Sequence, residues 1–357
     1  MSYRGKEPER GSPIKKIEAF LRKRPQKIWG SNMEEIRQLL LENGQKQFDD
    51  IVSQRVLGAS RHIHMIGDMF LDLTEKAEGE NMEPGRLMEK ITQVADYFKR
   101  TRGEASCAVT NAVNEMLAGM KGIEHKAEKE AVRIVRQAVF AYRKKLEDDI
   151  RIVVDCGAQL AKDMKKILVF DYSSTVNAFL ERLDHPETEV YIPESRSING
   201  GAAFARTAVG KGMKVHFIPD SAMMYFLRDC EAAFCGAESL FPDGTAFNTT
   251  GSEIVGLICK ELRIPFYILT PMVKLDIRGI YGYQRKTVIN DLRQRFTSVG
   301  LTEEEMKRID FKCPELLPID RSYITGFITE MGIIPTESLY EQALIYHRKL
   351  EGGRAYV

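Results

Sequence analysis

The chain has little of what usually marks a specialised chemistry. Its six cysteines (Cys107, Cys156, Cys230, Cys235, Cys259, Cys313) are scattered, with no C-x-x-C pair. That spacing excludes the usual zinc and redox motifs and leaves free thiols, buried in the core, as the expectation. Six histidines are just as dispersed. His62 and His64 have no carboxylate and third ligand at a recognisable distance, so they are placed on a helix surface and no metal is expected. No cofactor is expected either.

Long apolar runs are also missing. None approaches the ~18 residues that a membrane-crossing helix requires. The opening MSYRGKEPERGSPIKK is polar and charged, without the apolar centre of an export signal. The reading is therefore a cytoplasmic protein with no membrane partner. Neither sign of charge dominates: Lys+Arg 52 against Asp+Glu 51 gives a formal net charge of +1. With no general field to attract an anionic polymer, no direct nucleic acid binding is expected.

What is present suits an ordinary globular chain of about two domains. Residues 1–14 read as a flexible leader, since Gly, Pro and charges leave little to bury. From 15 to 162 the apolar residues recur at helical spacing, as in Ile36, Leu39 and Leu40 or Val132, Val135, Val139 and Phe140. Gly79-Glu80-Asn81 with Pro84, and then Gly119 with Gly122, punctuate this region into several helices. The charged run over 126–149 predicts one long amphipathic helix with a solvated face.

From 163 to 357 the texture becomes short apolar runs separated by turns and helical segments. KKILVF (165–170), EVYIP (189–193), KVHFIP (214–219), AAFCGA (232–237) and PFYILT (265–270) are each of strand length. The segments 172–183, 200–210, 221–228 and 253–262 read as helices between them. Such alternation predicts an α/β class, a Rossmann-like and mostly parallel sheet following an N-terminal helical domain. Ligands of these sheets sit beyond the carboxyl ends of the strands. Attention therefore falls on Asp171, Glu194–Arg196, Asp220–Ala222, Glu238 and Thr270–Lys274.

Each of these residues has a bland reading beside the functional one. Asp171, with Ser173 two residues on, either caps the helix that follows or acts as general acid or base with Glu238 as partner. Arg196 precedes Gly200-Gly201 and suits a phosphate or sugar hydroxyls, or else a structural salt bridge. Asn248 to Ser252 either hold an anion or cap the next helix.

In order and spacing, several stretches resemble the regulatory alpha, beta and delta subunits of translation initiation factor 2B and the sugar-phosphate isomerases related to them. They are Glu194-Ser195-Arg196, IPDSAMMYFL (218–227), FCGAESLFPDGTAFNTTGS (234–252), IPFYILTP (264–271) and ITEMGIIPTE (328–337), with echoes at Leu57–Arg61 and Thr101-Arg102-Gly103. Those isomerases act on 5-methylthioribose 1-phosphate and ribose 1,5-bisphosphate.

The resemblance implies a crevice in which Asp171 and Glu238 stand where the isomerases carry a catalytic Cys and Asp. Glu after Gly236-Ala237 is what the initiation-factor subunits carry. Arg102, Arg196, Asp220 and Asn248 match the shared pattern, and Gly58, Ser173 and Ser252 fall in binding stretches. Leu57 and Thr249 stand where the family has Arg and Lys, which implies a less anionic ligand. Two functions follow as expectations. One is an aldose–ketose isomerase-like enzyme on a sugar or sugar phosphate, using carboxylates. The other is a non-catalytic regulatory subunit that binds a sugar phosphate or nucleotide and partner proteins. The resemblance further implies a homodimer formed through the C-terminal domain, or a hetero-oligomer. The apolar stretch Ile324–Ile334 is either its interface or core.

Overall fold

The computed structural model describes residues 33–350 apart from 54, 57, 105, 294 and 296–299. The 1–14 leader, Pro25 and Leu57 lie outside the described residues. The chain divides into two compact units: one runs to Phe98 and resumes over Gly122–Arg136, and the other comprises Lys99–Lys121 and everything from Gln137 on.

The helical texture expected from the sequence is there. Helices occupy Met33–Gln38, Glu42–Val52, Ala59–Glu80, Pro84–Thr101, Cys107–Ala118 and Glu128–Ala161. Ala59–Glu80 ends where Asn81 turns into the left-handed region (φ 49°) and its N–H bonds the Ala77 carbonyl. Pro84 then opens the next helix, at the one turn where its missing N–H costs nothing.

One corner of this unit is held by two side chains a helical turn apart. Asp72 accepts from the backbone N–H groups of Leu41 (2.7 Å) and Gly44 (3.3 Å), capping Glu42–Val52 from outside. Lys76 donates to the Leu39 carbonyl at 2.9 Å, just past the preceding helix. Each charge faces the helix end of opposite polarity.

Two details of the sequence reading change. His62 is 7% exposed rather than on the surface, because its Nε2 pairs with the Val56 carbonyl at 2.8 Å, which lets the ring be buried. On the long helix Glu128–Ala161, Val132, Val135 and Val139 are buried, but Phe140, next to Val139 in sequence, is rotated off that stripe and is 55% exposed.

In the second unit the strands are β1 (Lys166–Phe170), β2 (Glu189–Pro193), β3 (Lys214–Ile218), β4 (Ala232–Cys235), β5 (Ser239–Leu240), β6 (Ala246–Thr249), β7 (Phe266–Leu269), β8 (Ile289–Asp291), β9 (Lys312–Pro314), β10 (Leu316–Ile319), β11 (Gly326–Thr329) and β12 (Gly332–Pro335). Seven of them form one sheet in the order β12-β11-β7-β4-β1-β2-β3, parallel throughout except at β12. All five apolar runs read from the sequence became its strands. β5, β6 and β10 form a small antiparallel sheet, and β8 and β9 a ribbon.

The sheet is buried on both faces, so its strands read as continuous apolar runs rather than alternating ones. Ile167, Val169, Val190, Ile192 and Phe234 pack on the face covered by Ser174–Arg182 and Gly201–Gly210. Leu168, Phe170, Ala233, Cys235 and Ile268 pack on the other, against Ser252–Leu262 and Leu339–Leu350. Ile324–Ile334 contributes to this core: every residue of β11 is buried.

From β1 the chain winds outward through β2 and β3, then returns to place β4 on β1's other side. The winding reverses between β1 and β4. Helices leave neighbouring strands in opposite directions at such a point and leave a crevice beyond the strands' carboxyl ends.

Candidate functional site at the switch point

The β1–β4 register pairs Phe170 with Cys235. Asp171 therefore follows one wall of the crevice, and Gly236-Ala237-Glu238 follows the other. Asp171 does not cap the next helix. That role belongs to Ser173, whose hydroxyl accepts the Val176 N–H at 3.4 Å.

Asp171 instead sits in the left-handed backbone region, φ 58°. Among the described residues five non-glycines do so. Asn81 and Arg263 close helices. The other three, Asp171, Ser195 (φ 49°) and Asn199 (φ 56°), lie around a single point. Strain of this kind concentrates at functional sites because the surrounding structure must hold it in place.

Asp171 is 2% exposed. Ser195 donates its hydroxyl to Asp171 Oδ1 at 3.0 Å. The Thr249 side chain and the Tyr172 N–H are further hydrogen-bond partners. Burial raises the pKa of this carboxyl above its ordinary value; Thr249, Ser195 and Tyr172 oppose that rise, and the charge of Asp220 adds to it. The Cys235 thiol behind it is pushed far up by burial and stays protonated.

Asp220, just past β3, clamps the loop that delivers Ser195. Its two oxygens accept the N–H groups of Ser195 and Arg196, each at 2.8 Å. Arg196 is exposed, with Nη1 3.7 Å from Glu194 Oε2 and Nη2 donating to the Arg295 carbonyl at 3.1 Å. Gly200 must be glycine, because a Cβ there would lie 2.7 Å from the Tyr172 nitrogen and 3.0 Å from Asp171 Oδ1. Asn248 donates to the Ser252 hydroxyl at 2.9 Å, both side chains being buried. The helices that begin at Ser174, Gly201 and Ser252 thus start around Asp171, and their first turns favour negative charge there.

Glu238 is half-buried, with its N–H donated to the Phe247 carbonyl at 2.8 Å. Among the described residues no hydrogen bond joins it to Asp171. Its charge acts on Cys107, whose thiol is raised by burial first, then by Asp276 and Glu238, against Arg285 and Arg278. Around it, Lys274 donates to the Ala237 carbonyl at 2.6 Å, and Cys107 donates to the Lys274 carbonyl at 3.1 Å. A cavity of about 410 Å³ opens beside Cys107, lined also by Lys99, Arg100, Asn111, Asp276 and Arg278.

The structure therefore gathers Asp171, Ser173, Arg196, Asp220, Asn248 and Ser252 at one end of the sheet. Glu238 faces a second cluster on the β4 side. Arg102 is half-buried in the turn before Cys107–Ala118, where its carbonyl accepts the Ser106 N–H. Gly58 belongs to the other unit. Reading the sequence passed over Ser195 as a partner of Asp171, along with Cys107 and Asp276. Ser195 lay inside a quoted motif, but left-handed backbone at a serine leaves no signal. Among the described residues no group of three or more His, Cys, Asp or Glu is placed to hold a metal, and no described helix is long and apolar enough to cross a membrane.

A doubly wound sheet with polar side chains crowded at its switch point defines a Rossmann-like α/β protein. The chain belongs to the initiation factor 2 subunit family, whose model matches residues 59–336. It is 25% identical over 296 residues to a ribose 1,5-bisphosphate isomerase of Archaeoglobus fulgidus, covering 82% of this chain and 90% of that one. It is 24% identical over 302 residues to a putative translation initiation factor eIF-2B subunit 2-like protein of Pyrococcus furiosus, covering 83% and 98%. Its fold is similar to that of 5-methylthioribose 1-phosphate isomerase from Pyrococcus horikoshii, with a TM-score of 0.66 at 17% identity over 97% of this chain and 99% of that one.

Proposed function

We propose that the chain is an aldose–ketose isomerase-like enzyme that takes a sugar or sugar phosphate into the switch-point crevice, with Asp171 and Glu238 as its proton-transfer groups. One observation carries this reading: Asp171, strained in its backbone and nearly dry, follows β1 at the reversal in strand order, and Glu238 follows the neighbouring β4. A carboxylate of raised proton affinity suits general acid–base work near neutrality.

In the open-chain aldose, one carboxylate removes the proton on C2 and the electron pair forms the enediolate. A proton then returns to C1, and the O2 hydroxyl proton is transferred to O1. In an aldose 1-phosphate, whose O1 stays esterified, the electron pair from C2 instead breaks the bond between C1 and the ring oxygen, which takes up a proton. The enol so formed loses its O2 proton as C1 gains one. Arg196 and Arg102 hold anionic or hydroxyl groups, and Asp220 and Asn248, with Ser173 and Ser252, shape the binding stretches. Relatives named as ribose 1,5-bisphosphate isomerases support a sugar phosphate as ligand. In this reading the protein acts in the cytoplasm as a homodimer formed through its α/β part.

A second reading has its own support. Glu238 is the residue that the initiation-factor subunits carry, and relatives named as subunit 2-like proteins match at similar identity. A regulatory subunit would bind a sugar phosphate or nucleotide without turnover and co-purify with a different chain. The enzyme would be active as the purified homodimer.

Turnover of a panel of aldoses, deoxyaldoses and aldose 1-phosphates, with Asp171→Ala as control, separates the two. The enzyme reading expects conversion of at least one member, slowed at least ~100-fold in the variant. It is sunk if no member is converted and Asp171→Ala alters no ligand's affinity.

A further inference from the structure

We propose that Ser195 is a positioning residue for Asp171: held by Asp220 in a left-handed turn, it presents its hydroxyl to Oδ1 and fixes where that carboxyl points in the crevice. The inference rests on the isomerase reading for its consequence, but not for its geometry.

Ser195 is 1% exposed, so water does not compete for its hydroxyl. Its N–H is committed to Asp220 Oδ1 at 2.8 Å, and its carbonyl accepts the N–H groups of Ile198 (3.1 Å) and Asn199 (2.7 Å). With the backbone fixed on both sides, the hydroxyl has one charged acceptor in reach, Asp171 Oδ1 at 3.0 Å. The arrangement costs a serine the left-handed conformation, φ 49°, that glycine would adopt freely. A residue serving only the turn would be better as glycine. The hydroxyl is what a serine adds.

The chain of contacts runs from β3 through the loop after β2 to the end of β1: Asp220, Ser195, Asp171. A hydroxyl donated to an ionised carboxylate stabilises the charged form. Removing it raises the proton affinity of Asp171 and frees its rotamer. The other titratable groups that act on Asp171 are Asp220 and the Cys235 thiol, both kept in the serine variants below.

The experiment is a pH titration of protein labelled with carbon-13 at its aspartate carboxyls, with the Asp171 resonance assigned by its loss in Asp171→Asn. Ser195→Gly and Ser195→Ala are compared with the unaltered chain. Glycine fits the left-handed turn, so Ser195→Gly stays folded even if alanine strains it.

In both variants the Asp171 titration is expected to move upward by about one pH unit or more, the worth of one hydrogen bond to a charged group. Ser195→Cys, which keeps a weak donor, moves it less. The basic-form limb of the pH–rate profile moves with it, and kcat falls by more than KM changes. The proposal is overturned if Asp171 titrates in Ser195→Gly as it does in the unaltered chain. If no sugar is turned over and Asp171→Ala alters no ligand's affinity, the proposed function fails, while the titration still decides the role of Ser195.

Discussion

Asp171 combines two properties that a side chain serving only stability avoids: a left-handed backbone without glycine's freedom, and a carboxyl withdrawn almost entirely from water. The second has a thermodynamic consequence. Because burial raises its pKa, the folded chain holds the Asp171 proton more tightly than the unfolded chain does. Stability therefore falls as pH rises from the ordinary carboxylate value, about 3.9, through the folded value, and the loss persists above it. Asp171→Asn keeps the shape and drops the charge. Calorimetry at pH 7–8 should find the variant melting about 2 °C or more above the unaltered chain, with the gap closing as pH falls toward ~4. A variant less stable than the unaltered chain at every pH would mean that Asp171 is held for the fold. Its place after an apolar run made this residue legible in the sequence. Its conformation and its bond to Ser195 were not, since both arise from a loop clamped by Asp220, 25 positions from Ser195.

Elements were easier to read than contacts. The five core strands and the helices after them follow from apolar runs and breakers, because a parallel sheet covered on both faces needs continuous apolar strands. The two-residue β5 and the exposed β8 carry too little pattern for that, and they form only where β6 and β9 pair with them. Where elements meet, the fit is close. A Cβ on Gly236 would stand 2.6 Å from both the Cβ and Oγ of Ser173, so the end of β4 presses on the cap of Ser174–Arg182. Gly236→Ala should cost about 1–3 kcal/mol in urea unfolding through overpacking. Adding Ser173→Gly to it should cost less than the two changes made separately, since the clash is then gone. Simple additivity would show that the two positions do not touch.

At the scale of the whole chain, sequence motifs, family model and relatives agree on the family. The family holds both isomerases and initiation-factor subunits, so membership alone does not assign chemistry. That Asp171 and Glu238 stand where the isomerases carry a Cys and an Asp is implied by the resemblance of the motifs. What the fold adds is that the two carboxylates flank the switch point, with Glu238 in a separate polar cluster beside Cys107 and Asp276. In the proposed function these carboxylates move a proton between neighbouring sugar carbons. Proton NMR of the purified protein with the aldose panel in heavy water tests it most directly. The claim predicts a ketose carrying deuterium at C1 from solvent exchange on the carboxylate, with the signal lost in Asp171→Asn. Unchanged aldoses without deuterium in every sample, from a protein whose melting temperature rises with a bound sugar phosphate, would contradict it.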